Sequence, residues 1–109
     1  MIYELREYRA MPGMLPVLLK RFAEQVMPLW EKHGIRQVGF WTTLIGPAQN
    51  VALHYMVEWE CLADRDTKWG AFVSDPEWIR AKEATEKDGA YVAELSNSIL
   101  APTSFSALK

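Results

Sequence analysis

The chain has 109 residues, of which 50% are hydrophobic and 24% charged, the size and composition of one soluble domain with a single core. Its formal net charge of −2, without any cluster of Lys and Arg, argues against a nucleic-acid surface. Cys61 is the one cysteine, which excludes a disulfide framework and makes a reducing cytoplasm the expected location.

A strand and then a helix are predicted in the first third of the chain. Residues 1–9 alternate in their side-chain pattern, which predicts a strand. The following apolar side chains recur at helical spacing, at Leu15, Leu18, Leu19, Phe22 and Val26. Pro28 lies inside this helical pattern and predicts a kink or a new segment. Gly34 is the residue type favoured just after the end of a helix.

A β-hairpin is predicted next. Its first arm, residues 37–45, is rich in β-branched and aromatic side chains. In its second arm, residues 51–59, two sets of side chains alternate as they do along a strand. A Gly-Pro pair with a following Asn marks the turn between them. Both faces of these arms are largely apolar, which is typical of strands that are covered on both sides. We therefore expect Trp41, in the first arm, to be buried.

The pattern returns to helical spacing after the hairpin, with apolar side chains on one face at Leu62, Trp69, Phe72 and Val73. Asp75 followed by Pro76 predicts a second helix start, since these residue types favour the N-cap and the first helical position. That helix is predicted to end at about residue 87. Residues 91–100 precede a proline and predict a last strand at a sheet edge.

The predicted order over the single domain, residues 1–109, is β-α-β-β-α-β. It predicts an α+β, ferredoxin-like fold in which both helical regions cover one face of a four-stranded sheet. The other face would stay open although its strands have apolar side chains, and such a patch is unusual on a small domain. Two copies facing each other would bury it, so we expect a homodimer.

Short motifs lie in a fixed order along nearly the whole chain, at 4–8 with Pro12-Gly13, 33–35, 39–42, 62–65, 75–78 and 99–106. In these residues the sequence resembles the NIPSNAP family. The resemblance implies a dimeric α+β barrel, whose superfamily includes cofactor-independent monooxygenases, haem-dependent enzymes and proteins of undefined role. It also implies a His four residues before Trp59, where this chain has Tyr55. His54 is one position away and is expected to point to the other face.

Metal, nucleotide and membrane binding find little support in the sequence. His33, His54 and Cys61 lack ligand spacing and there is no Gly-rich phosphate loop, so we expect neither a metal nor a cofactor. No GxSxG motif occurs and Cys61 has no base beside it, so catalytic residues are not assigned. No apolar run approaches the ~20 residues of a membrane span, and the first residues lack a secretory signal pattern.

Two groups of side chains are candidates for a site. Glu4, Arg6 and Tyr8 share one face of the first strand, and His54 and Glu58 share one face of the neighbouring arm. This polar group could orient a ligand or move protons, or it could be an ion pair that fixes strand register. The aromatic group could line an apolar cleft or form the core. The candidate ligand-binding residues are Arg6, Tyr8, Trp41, Tyr55, Trp69 and Phe72.

Two functions remain open from the sequence, and it does not decide whether the chain is an enzyme. The first is a non-catalytic homodimer whose cleft holds a small hydrophobic or aromatic molecule. The second is a cofactor-independent monooxygenase-like or isomerase enzyme acting on an aromatic or polyketide-like substrate. We expect the ligand between sheet and helices in each subunit, because Pro28 and Ser74-Asp75-Pro76 loosen the helices. Glu4, Arg6 and Tyr8 would fill the barrel interior if Tyr3 and Leu5 face the helices.

Overall fold

Residues 1–109 are described by a computed structural model that contains one four-stranded sheet. Its strands are Ile2–Ala10 (β1), Arg36–Thr42 (β2), Ala52–Trp59 (β3) and Val92–Leu100 (β4). They lie side by side in the order β2-β3-β1-β4, and every neighbouring pair is antiparallel. The predicted α+β, ferredoxin-like arrangement is thereby confirmed.

Two helical regions connect the strands. They consist of Leu15–Arg21 (α1), a π turn at Phe22–Val26, Met27–His33 (α2), Leu62–Val73 (α3) and Pro76–Thr85 (α4). None of these helices combines the length and apolar character that crossing a membrane would require.

The π turn lies where the sequence predicted a kink. Pro28 has no N–H to donate to the carbonyl of Glu24, so a regular α-helix would lose a hydrogen bond there. Instead the N–H of Met27 donates to the carbonyl oxygen of Phe22, five residues back, and α2 begins beside the proline. Gly34 ends α2 in the left-handed conformation, at φ 71°, as its residue type predicted.

The register of β1 with β3 decides which side chains face the helices. Arg6 lies opposite Tyr55, and Glu7 lies opposite His54. The Arg6 guanidinium carbon is 4.7 Å from the Trp69 ring centre in α3, so Arg6 and its partner face the helices. Glu7 and His54 therefore face the uncovered side of the sheet, which we call the open face.

This register corrects two expectations. Glu4, Arg6 and Tyr8 lie on the helix side of β1, so the expectation that they fill a barrel interior is wrong. His54 and Glu58 lie on the open face and do not join them. The cause is that successive side chains of a strand point to opposite faces. Assigning one side chain to the wrong face therefore places every second side chain of the strand on the wrong face too.

Trp41 of β2 also lies on the open face, because it is paired with His54 of β3. Its exposed fraction is 51%, so the expectation that the chain buries this side chain is wrong. Its ring folds back over Gly39, where an added Cβ would lie 2.6 Å from a ring carbon. The strand ends at Thr42, three residues before the predicted end, and Leu44 and Ile45 are exposed in the following loop.

The hydrophobic core lies between the sheet and the helices. Its most completely buried large side chains are Leu18, Val26, Trp30, Leu53, Tyr55, Val57 and Trp59. The edge strand β4 contributes little to it, since no residue of β4 is fully buried. The core therefore depends on the first helical region packed against β1 and β3.

Candidate functional site

A small cavity of ≈ 30 Å³ lies in the core between the helix side of the sheet and the helices. Tyr8 and Tyr55 form its wall on the sheet, and Phe22 and Trp30 form its wall on the first helical region. The second helical region closes it with Trp69, Phe72 and Trp78. The space admits a water-sized species and is far below the roughly 300 to 1,000 Å³ of ordinary ligand pockets.

The rings around this cavity contact one another in a continuous cluster. The Phe22 ring centre lies 5.7 Å from that of Tyr8 and 5.5 Å from that of Tyr55, and both are edge or tilted contacts. Trp30 lies 6.0 Å from Trp69, across the gap between the two helical regions. Aromatic pairs at these distances and angles are favourable beyond the area that they bury. The cluster thus forms a continuous apolar wall.

Two buried N–H groups on this wall have no hydrogen-bond partner. They are the Nε of Arg21 and the Nε1 of Trp30, on side chains with exposed fractions of 5% and 2%. A buried donor without an acceptor costs about 1–3 kcal/mol, so such groups are rare in native proteins. Both residues border the same cavity, which makes it the place where an acceptor from outside the chain would be most favourable.

Arg21 is held in place mainly by contacts with two aromatic rings. Its guanidinium carbon lies 4.7 Å from the Tyr91 ring centre and 5.4 Å from that of Trp78. Its Nη1 is 3.4 Å from both the Oε2 of Glu86 and the Oγ1 of Thr85, which are long contacts for a guanidinium. The positive charge of this buried guanidinium is thus only loosely compensated.

The hydroxyl of Tyr8 is a third donor at the cavity. Its oxygen accepts a hydrogen bond from Arg6 Nη2 at 3.1 Å and another from the Tyr55 hydroxyl at 2.8 Å. Two accepted bonds occupy both lone pairs of a phenol oxygen, so the Tyr8 proton is left to donate. Burial raises the pKa of Tyr55 well above its ordinary value, which keeps that phenol protonated.

Glu4 fixes Arg6 from the far side of the cluster. Its carboxylate is fully buried and accepts five hydrogen bonds, from Arg6, Trp59, Asn97 and twice from Arg65. Burial by itself would raise the pKa of Glu4, but the hydrogen bonds from Arg65, Asn97 and Arg6 outweigh it and lower the pKa to about 2. Glu4 is therefore a charged anchor and has no free lone pair for general-base work.

Arg6 and Glu4 form an ion pair at 2.8 Å, which is one of the two alternatives that the sequence left open for this group. Arg65 shares the same carboxylate at 2.8 Å, so two guanidiniums face one buried anion. Burial would lower the pKa of Arg6, but the nearby Tyr55 and Tyr8 and the bonds to Tyr8 and Glu4 raise it, so it stays charged. Arg65 also lies 3.4 Å from the exposed carboxylate of Asp66, so Arg6 depends on Glu4 more than Arg65 does.

Five of the six side chains that the sequence singled out lie in this region. Tyr8, Tyr55, Trp69 and Phe72 border the cavity, and Arg6 reaches it through the Tyr8 hydroxyl. Trp41 is separated from them by the thickness of the sheet, because it faces the open side. The position of His54 on the face opposite Tyr55 agrees with the expectation drawn from its place in the sequence.

Arg21 and Phe22 are site residues that the sequence reasoning missed. Phe22 was assigned to the apolar stripe of the first helix and given no further role. A signal for Arg21 did exist, since it follows Leu18 by three residues and so lies on the buried stripe of α1. A charged residue at such a position is unusual and indicates a buried partner or a ligand.

Asp75 holds the second helical region against the first. Its carboxylate accepts from the backbone N–H of Glu77 at 2.9 Å, as the predicted N-cap of α4. Its Oδ2 also lies 2.9 Å from Lys32 Nζ and 2.7 Å from His33 Nε2, at the end of α2. These hydrogen bonds, from Lys32 first and then from His33 and Glu77, lower the pKa of Asp75. No group of three or more His, Cys, Asp or Glu side chains is arranged to hold a metal ion.

Comparison with known proteins gives a consistent result. A family model described as NIPSNAP matches residues 3–107. A solved structure from Agrobacterium tumefaciens, a NIPSNAP family protein with unknown function, is 28% identical and has a TM-score of 0.85. That match covers 100% of this chain and 94% of the other. An uncharacterized NIPSNAP domain protein from Burkholderia xenovorans is 20% identical over 97% of this chain and 98% of its own, with a TM-score of 0.80.

A more distant likeness concerns the fold alone. The structure of an antibiotic biosynthesis monooxygenase is 9% identical, with a TM-score of 0.61 over 94% of this chain and 99% of that chain. No curated protein matches the chain.

Proposed function

The chain belongs to the NIPSNAP family, and from that premise we propose that it forms a homodimer whose subunits each bind one small organic molecule between sheet and helices. The observation that supports ligand binding is the cavity lined by aromatic rings, at which the N–H groups of Arg21 and Trp30 lack partners. An apolar wall with a few convergent polar groups is typical of small-molecule sites. A reducing cytoplasm is part of the proposal, since Cys61 is free and exposed.

The dimer is supported by the open face. Leu5 and Trp41 lie on it with exposed fractions of 39% and 51%, and the adjoining loop adds Leu44 and Ile45 at 83% and 87%. Large apolar side chains exposed together on a small domain mark an interaction surface. Sedimentation at micromolar concentration should give a species of twice the 12.5 kDa chain mass, and a single species at 12.5 kDa would contradict the proposal.

Ligand binding is tested by native mass spectrometry and by thermal shift with a panel of small aromatic and aliphatic compounds. We expect one ligand per subunit and a rise in the unfolding temperature with ligand concentration. Trp69→Leu, at the cavity wall, should weaken binding, while Leu44→Ser, in the exposed loop, should not. A stoichiometry of one ligand per dimer would place the site on the dimer axis and contradict this part of the proposal.

An enzymatic role, as a cofactor-independent monooxygenase-like or isomerase protein, is the second candidate. One observation favours it. The Tyr8 hydroxyl oxygen accepts hydrogen bonds from Arg6 and Tyr55, so its own proton remains available to donate. A base is lacking, however, because no carboxylate or imidazole borders the cavity and Glu4 uses its oxygens on Arg6, Arg65, Trp59 and Asn97. Binding without turnover is therefore the function that the geometry supports best.

Oxygen uptake separates the two candidates. The purified protein is mixed with hydroxyaromatic compounds that bind to it, and oxygen consumption and product formation are followed. Binding without turnover supports the proposal. Turnover that Tyr8→Phe abolishes, while ligand affinity is kept, would instead establish the enzymatic role.

A further inference from the structure

A second cavity adjoins the first one, and it lies under the π turn. Its volume is ≈ 210 Å³ and it opens to solvent. Every side chain that lines it is apolar, at Leu19, Phe22, Ala23, Met27, Phe40 and Leu53. We call this the outer pocket and the cavity at Arg21 and Trp30 the inner cavity.

Phe22 is the one side chain that lines both spaces. Its ring is 5.5 Å from Phe40, on the side of the outer pocket, and 5.7 Å from Tyr8, on the side of the inner cavity. Phe22 is also the first residue of the π turn, and its carbonyl accepts the wide hydrogen bond from Met27. Rotation of this one ring would therefore join the outer pocket, which opens to solvent, to the inner cavity.

The inner cavity offers donors. Arg21 Nε and Trp30 Nε1 lack partners, and the Tyr8 hydroxyl retains its proton after accepting two hydrogen bonds. A water molecule would need acceptors for both of its protons. Among the side chains that border the cavity the Tyr55 phenol oxygen is the one acceptor left, because both lone pairs of the Tyr8 oxygen are occupied and no carboxylate, amide or imidazole lies there. An oxygen that only accepts hydrogen bonds matches these donors better than water does.

The charges nearby favour an anion. Arg6 and Arg65 share the single carboxylate of Glu4, and Arg21 reaches Glu86 only at 3.4 Å. Arg65 also reaches the exposed carboxylate of Asp66, at 3.4 Å, so the buried guanidinium that lacks a close carboxylate is that of Arg21. A bound carboxylate would give Arg21 a close anionic partner in a region of low dielectric, where a poorly compensated charge is most costly.

From these observations we propose that the ligand is an amphipathic monocarboxylic acid. Its carboxylate enters the inner cavity beside Arg21, Trp30 and Tyr8, its hydrocarbon body fills the outer pocket, and Phe22 moves aside to admit it. The proposal rests on the ligand binding proposed above and adds the chemical class of the ligand and its orientation.

The class is tested with two probes of equal shape, octanoate and its neutral amide octanamide, by calorimetry on the wild-type protein. Octanoate should bind about tenfold or more tightly than octanamide, as expected for a hydrogen bond to a charged group. Equal affinities would overturn the carboxylate assignment and leave ligand binding itself intact. If neither probe binds while other compounds of the panel do, the class is wrong; if no compound binds, the proposed function is wrong.

Matched variants test the orientation. Trp30→Phe removes an unpartnered N–H and keeps an aromatic ring, and it should weaken octanoate binding about tenfold. Trp69→Phe makes the same change at another position of the wall, where the indole N–H is not one of the unpartnered buried donors. Its affinity for octanoate should stay within about twofold of the wild-type value. Equal losses in both variants would contradict the placement of the carboxylate.

Phe22→Leu tests the gate. The smaller side chain should speed the association of octanoate in stopped-flow measurements, since less rotation is needed to open the passage. Circular dichroism checks that the variant is folded, and Phe22→Met, a flexible side chain that fills more of the space, takes its place in the same measurement if Phe22→Leu proves unstable. An association rate unchanged in folded Phe22→Leu would overturn the gating role.

Discussion

Replacing Glu4 by Gln should strongly destabilise the protein, although the two side chains have nearly the same shape. The pKa of Glu4 falls from an ordinary 4.5 to about 2, which corresponds to about 3 kcal/mol of stabilisation at neutral pH. Glu4→Gln also leaves the buried Arg6 and the partly buried Arg65 without their shared anion, and breaking such a group costs about 3–5 kcal/mol. We therefore expect a loss of about 3–5 kcal/mol in the free energy of unfolding at pH 7.

The loss should depend on pH in a defined direction. A carboxyl whose pKa is lowered by folding contributes its full stabilisation above its unfolded pKa and loses it as pH falls through the folded value. The difference between wild type and Glu4→Gln should thus be constant above pH 4.5 and shrink between 4.5 and about 2.

Urea titrations across this pH range provide the measurement, at one fixed protein concentration because a dimer's stability depends on concentration. Glu83→Gln makes the same chemical change at an exposed position of α4 without a salt bridge, and it should change stability by less than about 0.5 kcal/mol. A loss below about 1 kcal/mol for Glu4→Gln, or one that persists unchanged in acid, would refute the account of Glu4 as a charged anchor.

Three further predictions concern the helix junction and the open face. At pH values above the ordinary carboxyl pKa, Asp75→Asn should lower the unfolding temperature. The effect should diminish as the solution becomes more acidic, because folding lowers the pKa of Asp75, and thermal melts at several pH values measure this. Trp41→Ser should shift sedimentation from dimer to monomer with little loss of helical signal, since the side chain is half exposed in one chain. Gly39→Ala should displace the Trp41 ring and weaken the dimer, because the new Cβ would lie 2.6 Å from a ring carbon. Gly70→Ala, with no heavy atom within 4 Å of the added Cβ, is its control and should keep the dimer; a monomer in both would refute the prediction.

The element order could be read from the sequence because each element has its own period. The alternation of residues 1–9, the apolar stripe from Leu15 and the Asp75-Pro76 start all predicted elements that the structure contains. Local signals sufficed here because caps, prolines and periodicity act within a few residues. Even the kink at Pro28 was visible, although its form as a π turn was not.

The sequence could not predict which face of a strand meets the helices where both faces of the strand are apolar. Glu4, Arg6 and Tyr8 look like residues of a solvated or inter-subunit face, yet they lie under the helices. Their burial depends on Arg65 and Asn97, which are 61 and 93 residues away from Glu4 and supply its hydrogen bonds. Since partners at such separations leave no local pattern, a buried ion cluster cannot be told from an exposed one by spacing alone.

The sheet keeps the two proposed roles physically separate. Consecutive residues of β3 point to opposite faces, so Tyr55 reaches the inner cavity while His54 and Met56 lie on the open face with Trp41. Changes on one face can then alter ligand affinity without altering the dimer surface, and the reverse. Coupling between the faces would have to pass through the backbone of β1 and β3, the two inner strands, each of which is paired with a neighbour on both sides. This arrangement favours two independent sites per dimer over a shared or cooperative one.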